Sequence, residues 1–129
     1  MAHPDAELAR RAYEAFAQGD MQTMDGLMAD DIQWHIPGDN VVSGSYDGKQ
    51  QVFGFFQQLA ERSGGTFALD VHDIVANDDH TVALVKAQGE HDGRQIDDNA
   101  VHVIHFEGDR IASFWSFSWD QRAVDEFWG

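Results

Sequence analysis

The sequence contains no cysteine. This absence excludes disulfide bonds, thiolate nucleophiles and cysteine-ligated zinc, and it leaves the redox compartment open. Lysine is also scarce: Lys49, Lys86 and six arginines stand against 23 Asp and Glu residues, which gives a formal net charge of −15 at pH 7. Phosphate groups and anionic lipid surfaces bind clustered Lys and Arg side chains, so we expect no nucleic-acid partner and no membrane partner.

Long apolar runs are missing as well. No stretch approaches the roughly 20 residues that a membrane-spanning helix needs. The first residues, Met1 to Arg11, are charged and lack the apolar core of a secretory signal peptide, so we expect a cytoplasmic protein. The 129 residues are 43% hydrophobic, which suffices for one buried core. We therefore predict a single domain spanning residues 1–129.

Hydrophobic residues recur at helical spacing through most of the first half of the chain. Gly19 is a plausible helix stop, and Asp20 is a plausible cap for the helix that follows. Between the second and third helices, apolar and polar residues alternate as in a short strand that ends at Pro37. The pattern predicts helices over Asp5–Gln18, Met21–Met28 and Lys49–Arg62, a strand over Ile32–Ile36, and a loop from Asp39 to Gly48.

The second half of the chain alternates with a period of two and is divided by turn residues. It predicts four strands over Thr66–Ala76, Thr81–Glu90, Arg94–Phe106 and Arg110–Trp119. Asp120 then caps a short helix, whose Phe127 and Trp128 we expect to dock on the sheet. Helices followed by a meander predict an α+β fold: a curved antiparallel sheet wraps around the N-terminal helices and forms a cone with an internal pocket.

Four stretches carry a resemblance to a known fold. They are YEAFAQGD (residues 13–20), IQWHIPGDNVVSGSYDG (32–48), RSGGTF (62–67), and GDRIASFW (108–115) with DQRAVDEFW (120–128). The chain resembles the nuclear-transport-factor-2-like superfamily, also called cystatin-like, and within it the SnoaL-like and ketosteroid-isomerase-like branch. That branch includes isomerases, cyclases, dehydratases and epoxide hydrolases, so the resemblance implies the fold and leaves the reaction open.

The resemblance also implies site residues. His35 matches the position of the ketosteroid-isomerase base, and His102 matches that of the protonated aspartate that donates to the oxyanion. The helix-one tyrosine of those enzymes falls on Ala12, so Tyr13 is expected to point elsewhere. SnoaL-like cyclases use a carboxylate on the last strand, and none occurs between Arg110 and Trp119. The resemblance thus implies cofactor-free acid–base chemistry, with His102 as acid or electrophile and His35 as base.

The residues themselves leave one choice open. Alternation places Trp34 and His35 on opposite faces of their strand, so only one of them can face the pocket. His102 and His105 also point to opposite faces and cannot share a metal, and we expect no metal and no cofactor. The aspartates at 97 and 98 are most simply an exposed strand start.

Aromatic residues predict a pocket wall for a small, mostly apolar ligand. An alternative is that they are plain core. The candidate ligand-binding residues are Tyr13, Trp34, Tyr46, Phe53, Phe56, Phe114 and Ser116.

The last strand has two unlike faces. In the register that the resemblance implies, Phe114, Ser116 and Ser118 face inward, and the alternative register reverses the faces. The outward set would then be large and apolar, and such a patch is normally covered. We expect a symmetric homodimer through Val101, Val103, Trp115, Phe117 and Trp119. A non-catalytic binding domain or a dimeric interaction module is the alternative function.

Overall fold

The computed structural model describes residues 3–129, so Met1 and Ala2 of the charged N-terminal segment lie outside the described residues. The elements in chain order are α1 (Pro4–Gln18), α2 (Met21–Leu27), β1 (Met28–Ile36), β2 (Gly44–Asp47), α3 (Gly48–Arg62), β3 (Ala68–Ala76), β4 (Thr81–His91), β5 (Arg94–Glu107), β6 (Arg110–Ser118) and α4 (Gln121–Trp128). None of these helices is both long and apolar enough to cross a membrane.

Local chemistry explains where the helices begin and end. The side chain of Asp20 accepts a hydrogen bond from the backbone of Thr23, and Asp120 does the same for Ala123. Each aspartate thus caps the first turn of its helix. Helix α1 ends at Gly19, which adopts φ 68° in the left-handed region that favours glycine.

The six strands form one sheet in the order β2-β1-β6-β5-β4-β3. Strands β3 to β6 pair as an antiparallel meander, and β2 pairs antiparallel with β1. Strand β1 runs parallel to β6, so the sheet is mixed rather than wholly antiparallel. This parallel pair joins the first part of the chain to its last strand. The α+β fold with N-terminal helices against a mostly antiparallel sheet is as predicted.

Two expectations for the region before α3 are wrong. The predicted loop over Asp39–Gly48 contains the short edge strand β2, whose Tyr46 pairs with Trp34 of β1. Strand β1 begins at Met28, where the second helix was expected to continue, because Met28 pairs with Ile111 of β6. In both places long-range pairing overrides the local pattern.

Helices α1 and α3 cover the inner face of the sheet. Helix α1 buries small side chains, Ala6, Ala9, Ala12 and Ala15, which allow it to approach the strands closely. Helix α3 buries Val52, Phe55, Phe56 and Leu59. Phe53, a candidate ligand-binding residue, is only half-buried, whereas Phe55 is buried.

Candidate functional site

A cavity of about 120 Å³ lies between the helices and the inner face of the sheet. Its wall is dominated by apolar and aromatic side chains and includes no Lys or Arg from residues 3–129. The titratable groups that line it are Tyr13, Asp98 and His102. The wall also contains Trp34, Phe56, Phe114 and Ser116 of the predicted set, together with Phe16, Phe55, Leu59, Phe67, Ala100, Ser118, Gln121, Val124 and Trp128.

Tyr13 and His102 form a hydrogen-bonded pair in this wall. The hydroxyl oxygen of Tyr13 lies 2.6 Å from Nδ1 of His102, and the two rings are nearly parallel at 12°. His102 is only 5% exposed and packs against Phe114 on its other side. The expectation that Tyr13 points elsewhere is therefore wrong, because the side chain of residue 13 reaches from α1 to the middle of β5.

Burial sets the protonation states of both partners. Desolvation lowers the pKa of His102 to about 3, so the imidazole is neutral at physiological pH. Desolvation also raises the pKa of the Tyr13 phenol well above its ordinary value of 10.0, so the hydroxyl keeps its proton. The site thus holds a neutral phenol against a neutral imidazole.

The neutral pair retains one hydrogen-bond donor in either tautomer. If the Tyr13 hydroxyl donates to Nδ1, the imidazole proton is on Nε2. If Nδ1 carries the proton and donates to the Tyr13 oxygen, the phenol O–H remains free to donate a hydrogen bond. In both arrangements one N–H or O–H is available to a ligand.

Asp98 is the third titratable group and was expected to be exposed. It is 5% exposed and lines the cavity, whereas its neighbour Asp97 faces outward and pairs with Lys86 at 3.5 Å. Desolvation raises the pKa of Asp98, partly opposed by hydrogen bonds from the Ser118 hydroxyl and the Asp120 backbone. Its inward position follows from strand alternation, because Asp98 shares a face with His102 four residues along β5.

Trp34 settles the choice left open for β1. Its indole lines the cavity, is 7% exposed, and stacks on Phe114 with ring centroids 3.8 Å apart and planes 9° apart. The indole N–H is buried and has no hydrogen-bond partner among residues 3–129. A buried donor without a partner costs on the order of 1–3 kcal/mol, which a ligand acceptor could offset.

His35 lies on the opposite face, outside the cavity. Its ring stacks on Trp115 with centroids 5.2 Å apart, and its Nδ1 lies 2.9 Å from the Ser45 hydroxyl. The structure therefore does not bring His35 and His102 together, and the expectation of two histidines in one pocket is wrong. The physical reason is alternation: with Trp34 inward, His35 must be outward.

Two predicted wall residues also lie outside this cavity. Tyr46 packs on Phe55, and its hydroxyl donates to the backbone oxygen of Val42 at 2.7 Å. Phe53 packs edge-on against Phe56 and lines a separate surface depression beside α2. Both residues support the wall from behind. Phe55 was not among the predicted wall residues. It lies one helical turn before Leu59 and faces the cavity, whereas Phe53 does not.

The register implied by the resemblance matches the last strand. Phe114, Ser116 and Ser118 line the cavity. Phe117 and Trp119 face outward and are 53% and 87% exposed. Trp115 and the valines at 101 and 103 are half-exposed on the same outer face.

Helix α4 closes one end of the cavity. Gln121, Val124 and Trp128 contribute to the wall, and Trp128 is 5% exposed. Asp125 holds the helix to the loop after β1, accepting hydrogen bonds from the Gln121 and Asn40 side chains at 2.9 and 2.8 Å. The predicted docking helix thus also forms part of the binding wall.

No group of three or more His, Asp or Glu side chains within residues 3–129 is arranged to hold a metal ion. His102 and His105 point to opposite faces, as expected, and His105 contacts Trp115 edge-on on the outer face. The absence of a metal or cofactor from the reaction stays a prediction.

Comparison with known proteins identifies the family. The SnoaL-like domain matches residues 9–114, most of the chain, and the protein belongs to that family. An uncharacterised protein of Mycobacterium tuberculosis is 26% identical over 125 residues, which cover 96% of this chain and 95% of the relative.

Solved structures agree with this assignment. Bal32a, from a soil-derived mobile gene cassette, superposes with a TM-score of 0.96 at 29% identity, covering 99% of this chain and 98% of its own. A protein of unknown function with a cystatin-like fold from Xanthomonas campestris superposes with a TM-score of 0.92 at 28% identity. The match covers 100% of this chain and 99% of that chain. IdmH, a proposed polyketide cyclase from Streptomyces antibioticus, shares the fold with a TM-score of 0.77 at 22% identity. The match covers 95% of this chain and 96% of that chain.

Proposed function

We propose that the cone binds a small, mostly apolar ligand with a hydrogen-bond-accepting oxygen, and that the protein is a cofactor-independent acid–base enzyme of the isomerase, dehydratase or hydrolase type. The observation that carries the proposal is the 2.6 Å hydrogen bond between Tyr13 and His102 in a wall dominated by apolar side chains. A donor held in such a dry site stabilises negative charge on a ligand oxygen far more than it would in water.

The pair can supply both halves of proton transfer. When Nδ1 of His102 donates to Tyr13, the phenol hydrogen is directed to a ligand oxygen and Nε2 of the same ring can receive a proton. Because burial holds the pKa of His102 at about 3, the ring is a weak base, so isomerisation or dehydration beside a carbonyl would depend on the phenol stabilising the enolate oxygen. In the other tautomer His102 is itself the acid or electrophile. The base role expected for His35 is not part of this proposal, because His35 lies outside the cavity.

The volume of the cavity restricts the size of the ligand. A dry cavity of about 150 Å³ is large enough to bind benzene. The cavity here, about 120 Å³, is of the same order, so it favours single-ring compounds such as cyclic enones and phenols over polycyclic ones. Steroids and polycyclic polyketides would require helix α4 or its neighbours to move. Proposed polyketide cyclases among the structural neighbours thus share the fold, while a polyketide substrate is not what this cavity favours.

Intrinsic fluorescence tests ligand binding directly, because Trp34 and Trp128 both line the cavity. The protein is titrated with cyclic enones, phenols, terpene epoxides and steroids. We expect saturable quenching by single-ring compounds, weakened about tenfold in Tyr13→Phe and His102→Ala. His105→Ala, on the outer face of the same strand, is the matched control and should bind like the natural protein. A folded protein that binds no compound of the panel would overturn the proposal.

Turnover separates an enzyme from a binding protein. Bound compounds are followed by NMR for new products, and Tyr13→Phe should lose turnover of any compound that it still binds. A second candidate function is a ligand-binding domain without chemistry. It is favoured by the position of His35 outside the cavity, because the acid and base roles are then left to the single pair Tyr13 and His102. Binding without turnover across the panel would support that second candidate and overturn the enzyme.

We also propose that a second copy of the chain covers the outer sheet face. The support is the apolar patch formed by Val101, Val103, Trp115, Phe117 and Trp119, of which Trp119 is 87% exposed. Exposed aromatic clusters of this kind mark interfaces more often than solvent surface, and a two-fold dimer is the commonest arrangement. Sedimentation equilibrium measures the mass, and a monomer at micromolar concentration would contradict the proposal.

A further inference from the structure

Asp98 is a buried carboxylate that the proposed chemistry does not use. It is 5% exposed, lines the cavity, and lies on the same face of β5 as Ala100 and His102. Burying a carboxylate is costly unless charge or hydrogen bonds compensate. Its retention in an apolar wall therefore needs an explanation.

Within residues 3–129 no Lys, Arg or His forms an ion pair with Asp98. The two lysines are paired elsewhere, Lys86 with Asp97 and Lys49 with Asp25 and Asp30. Asp98 accepts hydrogen bonds from two neutral donors, the Ser118 hydroxyl and, at 3.4 Å, the Asp120 backbone N–H. A carboxylate offers about four lone-pair positions, so these donors leave acceptor capacity facing the cavity.

Asp98 is too far from the Tyr13–His102 pair to act on the same ligand atom. Four residues of extended strand separate its Cα from that of His102 by about 13 Å. Ala100, which also lines the wall, lies between them on β5, with Ser118 beside it on β6. The cavity therefore has a titratable group toward each end.

We propose that Asp98 anchors a protonated amine, so that the cone binds a ring compound with an oxygen at the Tyr13–His102 end and an ammonium at the Asp98 end. The proposal rests on the proposed function, because both use one cavity. The net charge of −15 draws cations toward the protein. Asp97 and Asp120 add negative charge near Asp98, and the aromatic wall favours an ammonium over a carboxylate.

Three phenols that differ in one terminal group test the anchor. Tyramine, 4-(2-hydroxyethyl)phenol and 3-(4-hydroxyphenyl)propanoate present an ammonium, a hydroxyl and a carboxylate on the same ring and a two-carbon tether. Affinities are measured by tryptophan fluorescence and calorimetry at pH 7. We expect tyramine to bind at least about tenfold more tightly than the alcohol, and the propanoate to bind most weakly.

Two variants assign the preference to Asp98. In Asp98→Asn the advantage of tyramine over the alcohol should vanish, because the amide carries no negative charge. Ser118→Ala, which keeps the carboxylate, should retain the advantage. The ranking in the natural protein tests the proposal even if Asp98→Asn does not fold.

The possible results are distinguishable. Equal affinity for tyramine and the alcohol overturns the amine anchor and leaves the proposed function standing. An advantage of tyramine that persists in Asp98→Asn overturns the role of Asp98. Failure of tyramine to bind also overturns the anchor, and the enone, phenol and epoxide panel then decides the proposed function by itself.

Discussion

The two faces of β5 and β6 differ in their side chains. The inner face encloses a cavity and carries the small or polar residues Asp98, Ala100, His102, Ser116 and Ser118 beside larger apolar ones such as Ile104 and Phe114. The outer face is built from large apolar residues that remain exposed in the single chain: Val101, Val103, Trp115, Phe117 and Trp119. The inner face thus leaves a cavity beneath the helices, and the outer face leaves an apolar patch uncovered in the single chain.

The largest predicted effect on the free energy of unfolding concerns acid stability and separates the inner histidine from an outer one. His102 has a folded-state pKa of about 3, below the ordinary 6.5 of the unfolded chain. Between those values the unfolded chain binds a proton that the folded protein does not, so stability falls as pH falls. Between pH 7.5 and 5 this single residue should remove about 2 kcal/mol from the free energy of unfolding.

Urea titrations at several pH values measure this contribution. His102→Gln keeps a hydrogen-bonding side chain for Tyr13 but cannot be protonated, so the variant should lose less stability than the natural protein over the same pH range. His105→Gln, on the outer face, should keep the natural pH dependence. Equal pH dependence in the natural protein and His102→Gln would contradict the burial of a neutral imidazole.

Filling the inner face should abolish ligand binding without unfolding the chain. Ala100→Leu places a larger apolar side chain between the two polar ends of the cavity. We expect affinity for any ligand to fall about a hundredfold, which corresponds to about 2.7 kcal/mol, while the melting temperature stays the same or rises.

Ala68→Leu makes the same substitution at an exposed position of β3 and serves as the control. It should change neither ligand affinity nor melting temperature. Unaltered binding in Ala100→Leu would mean that the ligand site lies elsewhere.

Charging the outer face should separate the proposed dimer and leave the cavity intact. Phe117→Asp places a carboxylate in the centre of the apolar patch, and loss of a central aromatic at an interface typically costs about 2 kcal/mol or more. We expect the dimer dissociation constant to rise about thirtyfold, measured by sedimentation. Ligand affinity in the resulting monomer should change less than about threefold.

Val41→Asp makes the same change in charge away from the patch and is the matched control. A dimer that tolerates Phe117→Asp as well as Val41→Asp would contradict the proposed interface. If Phe117→Asp both separates the dimer and weakens ligand binding, the two faces of the sheet are coupled.

The smallest predicted effect is at His35. The ring is held between Trp115 and Ser45 on the outer face and does not line the cavity. His35→Ala should therefore change ligand affinity and any turnover less than about twofold, against about tenfold for His102→Ala. Comparable losses in both variants would restore the two-histidine site that the sequence resemblance implies.

Much of the fold was predictable because it depends on local signals. Gly19, Asp20 and Asp120 set helix boundaries through backbone geometry and capping, and they act within a few residues. Edge strand β2 was not predictable in this way. It is four residues long and takes its conformation from pairing with β1.

The site was predictable only in part, because alternation gives relative and not absolute orientation. His102 could be placed through the resemblance, and Trp34 and His35 could be placed only as opposites. The inward direction of Asp98 follows by alternation from that of His102, four residues along the same strand, but the run of two aspartates was interpreted as an exposed strand start. Tyr13 was a candidate wall residue, but its pairing with His102 was not predicted, because one residue of offset on a helix turns a side chain by about 100°.

The parallel pairing of β1 with β6 also has a consequence for how the protein forms. Trp34 and Phe114, whose stacked rings make part of the cavity wall, are 80 positions apart in the sequence. Closing so long a loop is entropically costly and slows folding. During synthesis the wall cannot be completed until β6 has left the ribosome, so a nascent chain that ends before Arg110 has helices and a partial meander but no binding site.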